Sequence, residues 1–294
     1  MTHIQQASSL FMYCQLFYAS ELQHAQVTAL QALIDQHQLP IVLNPELLTE
    51  KLTQKRRQQL CQLSIQPLLL LDNNNALSWL SDGLSVAPEW DKLQRRVVSA
   101  GRKSELLLQA AKITSDSAVI DATAGFGHDS LILASTGAQI IMLEQQPLMA
   151  LLLLAEQQRM SQLANWQKLM TRLQIINTDA LSYFEMVNNQ SVSENNKTVD
   201  VVYLDPMFPE DSYQDRKTGK GAKVGKHMQA LHQLARPPTV DEEQQLLQGA
   251  LAVVGHNGSR RVIVKRPQFA PLLANQSPSE SWHNEAVRFD GYFV

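Results

Sequence analysis

Cysteine is nearly absent from this chain. Cys14 and Cys61 are the two cysteines in 294 residues and form no C-x-x-C pair. A disulfide scaffold and a thiolate metal site are therefore excluded, and a reducing compartment, the cytoplasm, is expected. Long apolar runs are missing as well. The longest, Pro147 to Ala155, is nine residues, well short of the roughly 20 that a membrane-spanning helix needs. The opening M-T-H-I-Q-Q lacks a basic segment followed by an apolar stretch, so export is not expected. The eight histidines form no H-E-x-x-H or other close ligand pair, and no metal is expected. G-K-G-A-K-V-G-K-H is not a phosphate loop, because Lys220 and His227 stand where G-x-x-x-x-G-K-[ST] needs Gly and Ser or Thr. Neither sign of charge dominates: 25 Lys and Arg against 28 Asp and Glu leave −3, which argues against a uniformly basic coat.

What is present is an ordinary globular composition, 44% hydrophobic, with enough apolar surface to offset ordering entropy in one large core or two modest ones. Basic charge is clustered. Residues 91–103 and 215–227 hold five basic side chains each and residues 259–266 hold four. A local anion-binding face is compatible with that distribution.

The first 90 or so residues read as a small α/β module. Phe11 to Tyr18 and Leu39 to Leu43 have strand character, with a helix from Ser20 to His37 between them. Gln66 to Leu71 and Ala76 to Leu80 flank D-N-N-N, a hairpin signal. From Ser115 the pattern becomes regular strand and helix alternation, which favours a parallel sheet covered on both faces. Strands are expected at 118–121, 139–144, 173–176, 199–204, 261–265 and 286–294. Helices are expected at 128–136, ending at Gly137, and at 148–167, 181–187, 226–234 and 241–253. A polar surface loop is expected at 188–198.

Two segments carry chemistry. D-A-T-A-G-F-G-H-D at 121–129 follows a strand and opens a helix. Gly125 and Gly127 let a ligand approach the backbone, and the helix N-terminus offers free amides. Ser130 occupies the place of the third glycine of a dinucleotide fingerprint. Asp121 would repel a pyrophosphate but suits a ligand with an amino group, as S-adenosylmethionine has. A plain glycine turn between strand and helix fits the same residues. Glu144, closing the second of these strands, can accept from ribose hydroxyls. Asp179 can accept from an adenine amine or cap the helix that follows. D-P-M-F-P at 205–209 sits where open α/β sheets place ligands. Asp205 and the Pro206 carbonyl can accept both protons of an exocyclic amine, and Phe208 can stack on its ring. An ordinary Asp-Pro turn is the alternative.

D-A-T-A-G-F-G-H-D, M-L-E-Q-Q-P, V-V-Y-L-D-P-M-F-P, R-V-I-V-K-R-P-Q-F-A-P and R-F-D-G-Y, in this order, resemble the class I S-adenosylmethionine-dependent methyltransferases. More narrowly they resemble the small-subunit ribosomal RNA methyltransferase J family. The resemblance implies an α/β, Rossmann-like doubly wound sheet, mostly parallel with an antiparallel terminal strand, over 93–294, with the small α/β module at 1–92. It implies cofactor contacts at His128 and Asp129, Glu144 and Gln145, Asp179 and Ala180, and Asp205. It also implies methyl transfer to the N2 amine of a guanosine in 16S ribosomal RNA, free or in the small subunit. His128, Asp179 and Ala180 depart from the residues usual in the family. Another exocyclic amine, a protein amide, or a non-catalytic RNA-binding role stays open. The basic clusters make Arg95, Arg96, Lys220, Lys223, Lys226, Lys265 and Arg266 candidates for phosphate contact around an extruded guanosine.

Overall fold

The computed structural model describes residues 11–50, 52–191, 199–208, 232–254 and 260–293. Two compact units form, one from Met1–Pro88 with Pro147–Arg159, the other from Glu89–Gln146 with Met160–Val294.

In the first unit, β1 (Met12–Tyr18), β2 (Ile41–Leu47), β3 (Leu68–Leu71), β4 (Leu77–Ser81) and β5 (Leu84–Val86) form one sheet in the order β2-β1-β3-β4-β5. β1 pairs parallel with β2 and β3, while β3, β4 and β5 run antiparallel. The expected hairpin is present: Asp72 Oδ1 accepts from the amides of Asn74 and Ala76 at 2.8 and 2.9 Å, and Asn75 adopts φ 59°. The expected helix at 20–37 begins with a short 3-10 turn, Glu21–Gln23, before the α-helix His24–Gln36. A helix at Gln54–Leu63 and strand β5 were not expected. Residues 148–154 are almost wholly buried, as a leucine run should be. Their helix, Pro147–Ser161, stops short of the expected 167, and a separate turn of helix follows at Gln167–Met170. The interruption falls where the apolar run gives way to the polar, turn-prone S-Q-L-A-N.

The second unit is built on seven strands: β6 (Ala118–Asp121), β7 (Gln139–Glu144), β8 (Leu173–Asn177), β9 (Val201–Leu204), β10 (Arg261–Pro267), β11 (Glu280–His283) and β12 (Val287–Phe293). Their order is β11-β12-β10-β9-β6-β7-β8. β8, β7, β6, β9 and β10 run parallel, and β12 is antiparallel to both β10 and β11. This is the doubly wound, mostly parallel sheet with an antiparallel terminal strand. All four residues of β9 are buried, because helices cover both faces of the sheet. One face packs Phe184 of helix Ala180–Ser191 and Leu247, Ala250 and Val254 of helix Val240–Val254 against Ile120, Val202 and Val262. Helices Leu106–Ala111 and His128–Ser135 bury Leu107, Leu108, Leu131 and Leu133. The helix after β8 runs to Ser191, so the first part of the expected 188–198 loop is helical. Of the helix expected at 226–234, only 232–234 are described, and they are helical. The order of the strands places the switch in winding direction between β6 and β9, where ligands of such sheets bind.

Candidate active site

β6 ends on Asp121, and the chain turns through Gly125 at φ 54° and Gly127 at φ 73° into helix His128–Ser135. Both dihedrals lie in the left-handed region that favours glycine. A methyl group built on Gly125 would meet nothing closer than the Thr123 carbonyl at 3.9 Å, so the turn is open beside that residue. Asp121 is buried and accepts from the Thr123 amide at 3.2 Å and the Ser130 hydroxyl at 2.5 Å. Glu144, at the end of β7, turns its buried carboxylate to the same place and accepts from Gly125 N at 3.1 Å and Gln146 N at 2.8 Å. Burial pushes both carboxyls up to about 7 despite these bonds. Trp90, fully buried, donates its indole N–H to the Phe126 carbonyl at 2.7 Å and so fixes the turn from outside.

β9 delivers Asp205 and Pro206 beside this turn. The Asp205 amide donates to Thr123 Oγ1 at 2.6 Å, which joins the two turns directly. Lys265, from the neighbouring β10, places its ammonium 2.7 Å from Asp129 Oδ2 and 2.8 Å from Asp205 Oδ2. Tyr203 donates its hydroxyl to the same Asp129 oxygen at 2.7 Å. Burial alone would raise the Asp129 carboxyl, but the Lys265 charge holds it below the ordinary range. Asp205 ends above that range, raised by burial and by Asp129 against the pull of Lys265. Burial works against the Lys265 ammonium, yet the two carboxylates keep it protonated far above neutrality.

The structure thus brings together Asp121, Gly125, Gly127, Asp129, Glu144, Asp205 and Pro206. His128 opens the helix, and its ring stacks on Phe126 with centroids 6.0 Å apart. Gln145 is exposed at the end of β7. Asp179 accepts from the Ser182 amide at 2.9 Å and caps the helix that begins at Ala180, which is the plainer of its two expected roles.

Several expectations change. Phe208 is buried rather than offered as an open platform, and the Arg266 guanidinium lies 4.9 Å from its ring centroid. Arg266 is itself buried and bonded to Glu243 at 2.7 Å, so it is turned inward, away from any phosphate. Lys265 is likewise engaged by carboxylates. Arg95 and Arg96 are both exposed, and Arg96 makes a two-pronged contact to Glu105, with both bonds at 2.8 Å. Lys220, Lys223 and Lys226 lie outside the described residues. Thr123, Tyr203 and Trp90 were not singled out from sequence, and Ser130 was noted only as standing in place of a third glycine. A tyrosine inside the apolar V-D-V-V-Y-L and a threonine inside D-A-T-A-G were the available signals for the first two.

A family profile described as "Putative SAM-dependent methyltransferase" matches residues 42–294. A protein named ribosomal RNA small subunit methyltransferase J from Psychrobacter cryohalolentis is 75% identical, with all of both chains covered. One of the same name from Acinetobacter baumannii is 33% identical over 98% of this chain and 95% of its own. The chain belongs to this methyltransferase family. A SAM-dependent methyltransferase structure from Neisseria gonorrhoeae has the same fold, with a TM-score of 0.63 over 95% of each chain at 24% identity. The family's cofactor is S-adenosylmethionine. The residues present fit it: Asp121 and Glu144 are buried carboxylates with no cationic side chain on them among the described residues. They flank an open glycine turn, and a cationic ligand bearing a ribose diol would answer both. Among the described residues no group of His, Cys, Asp and Glu is placed to hold a metal, and no helix is long and apolar enough to cross a membrane.

Proposed function

We propose that this protein transfers a methyl group from S-adenosylmethionine to the exocyclic N2 amine of a guanosine in 16S ribosomal RNA, in the cytoplasm. The observation that carries the reading is the bond from Asp205 N to Thr123 Oγ1. It locks the turn suited to the methyl donor to the turn suited to the acceptor, at the switch point of the sheet.

When bound, S-adenosylmethionine supplies the electrophilic methyl group. Glu144 would hold the ribose hydroxyls, Asp121 and Asp129 would face the positive end, and the peptide at Gly125 would lie against the ligand. Asp205 Oδ2 is taken by Lys265, which leaves Oδ1 and the Pro206 carbonyl to accept the two N–H groups of the amine. The amine lone pair is delocalised into the base, so orientation contributes more than a strong base would. Asp205 Oδ1 would also take the proton that the nitrogen sheds. Extrusion of the guanosine would bring it to this edge. Residues 93–294 would carry the reaction, with residues 1–92 in an RNA-recognition or packing role. The Lys220, Lys223 and Lys226 segment, with Arg95, would supply phosphate contacts. Three places in the list expected from sequence, those of Arg96, Lys265 and Arg266, are given up to the carboxylate contacts described above.

The test is methyl transfer in vitro. Purified protein, methyl-labelled S-adenosylmethionine and either naked 16S RNA or isolated small subunits are incubated, and the RNA is digested to nucleosides. Label in N2-methylguanosine supports the reading. Label in a methyladenosine or in ribosomal protein would replace it with another acceptor, and no label above background on either substrate would favour a binding role.

A further inference from the structure

Lys265 follows Val264, which pairs with Leu204 in the parallel β10–β9 ladder, so it stands level with Asp205 at the carboxyl ends of adjoining strands. Asp129 reaches the same point from the first turn of helix His128–Ser135. The lysine side chain is about one quarter exposed, and its ammonium is shared between the two carboxylates at 2.7 and 2.8 Å. A cation held by two carboxylates has little charge to offer a phosphate. We propose that Lys265 is a positioning residue for the methyl acceptor, fixing Asp205 through Oδ2 so that Oδ1 and its negative charge face the amine. The inference rests on the assignment of Asp205 to the amine.

The electrostatics of the cluster support this role. Without the ammonium, Asp129 and Asp205 would face each other unneutralised, and like charges at such a distance favour protonation of one of them. Asp205 is the one already raised, by burial and by Asp129. Asp129 keeps the Tyr203 hydroxyl bond and lies within the field of Arg96, both of which favour its ionised form. Among the described residues the other groups facing the cluster are Asp121 from β6, which repels a further negative charge, and Arg266 from β10, which attracts one. Neither replaces the direct contact of Lys265. A protonated Asp205 becomes a donor toward an amine whose hydrogens need an acceptor, and transfer fails.

Three variants, Lys265→Met, Lys265→Gln and Lys265→Arg, with Asp205→Asn as the reference, test the inference. Lys265→Gln keeps hydrogen-bond donors without the charge and serves if the methionine variant does not fold. The readouts are the pH profile of kcat/KM on small subunits or 16S RNA, and the Asp205 carboxyl titration followed by 13C NMR in the ligand-free protein. Loss of the charge should move the acid limb and the Asp205 titration upward together, by about 1–3 pH units, the usual effect of one adjacent opposite charge. The rate should recover toward alkaline pH, and Lys265→Arg should keep the wild-type limb. An unmoved limb and an unmoved Asp205 titration in Met and Gln variants, with Asp205→Asn inactive, would overturn the role of Lys265 and leave the amine assignment intact. An Asp205→Asn protein as active as wild type would instead remove the amine assignment itself.

Discussion

The guanidinium of Arg266 lies over the ring of Phe208, 4.9 Å from its centroid, with Glu243 Oε1 holding one end at 2.7 Å. Glu243 also accepts from the Ala274 amide at 2.8 Å, so the arginine is the middle member of a buried stack that supports the D-P-M-F turn. Removing it leaves the part-buried Glu243 without its cation. Loss of one partner of a buried pair costs about 3–5 kcal/mol. Arg266→Ala should therefore lower the melting temperature clearly and reduce methyl transfer, while the log-log salt dependence of RNA binding stays that of wild type. A phosphate contact would behave differently. Its loss would flatten the salt slope by about 0.7 for single-stranded RNA, and that result with unchanged stability would return Arg266 to the RNA surface.

Glu144 gives a pH-dependent prediction whose sign follows from its burial. The carboxyl titrates near its ordinary value of about 4.3 in the unfolded chain and is pushed up to about 7 in the folded protein. Between these values the folded state binds more protons. This contribution to stability is full below about 4 and is lost as pH rises through about 7. Glu144→Gln cannot lose it, so the melting temperature of the variant relative to wild type should rise from pH 5 to pH 8 in the ligand-free protein. Asp121, also near 7, is common to both proteins and cancels in the difference. S-adenosylmethionine should bind wild type more tightly at pH 8 than at pH 6, because ribose hydroxyls donate to the carboxylate. The variant should bind more weakly at pH 8 and with a flatter pH dependence. Parallel melting curves across the pH range and an unchanged dissociation constant would place the ribose elsewhere.

Two glycines separate ligand binding from folding. At Gly125 the added methyl of Gly125→Ala meets open space and costs about 1–2 kcal/mol of left-handed backbone strain. It would stand in the way of a ligand lying on the turn, and overpacking by one methyl commonly costs about 1–3 kcal/mol, about fivefold to 150-fold in affinity. At Gly137, φ is 106° and an added methyl would lie 2.8 Å from Ser115 Cβ, against protein. Gly137→Ala should lower stability more than Gly125→Ala does and leave the affinity of the folded protein for S-adenosylmethionine within about twofold, well under one tenfold step. Calorimetric titration with thermal melting of both variants checks the contrast, and equal losses of affinity would contradict it.

The parts of the fold legible in sequence were those whose apolar runs are bounded by turn residues. β6 and β7 are such runs, and both lie where A-V-I-D and Q-I-I-M-L-E predict. The helix Gln54–Leu63 was not legible, because Q-K-R-R-Q-Q-L-C-Q-L shows no full apolar stripe to mark it. β11, with a single large apolar residue in E-S-W-H, is an edge strand identified by its pairing with β12 alone. Within the site, the glycine turn and the Asp205 turn were readable because both need special backbone. The cross-links were not. Thr123 is 82 residues from Asp205, and Lys265 is 136 from Asp129. Those meetings are decided by the placement of β9 beside β6 and β10, which is a property of strand order and not of any local pattern. For the same reason Lys265 and Arg266 read as free basic charge until their carboxylate partners were located.

If this chain methylates the N2 amine of one guanosine in 16S ribosomal RNA, as proposed, mass mapping of that RNA will show it. RNA is taken from cells lacking the protein and from the same cells carrying either the wild-type chain or Asp205→Asn. One N2-methylguanosine should disappear without the protein, return with wild type, and stay absent with the variant. An unchanged set of N2-methylguanosines in the deficient cells, or loss of a different methylated nucleoside restored by the wild-type chain, would contradict it.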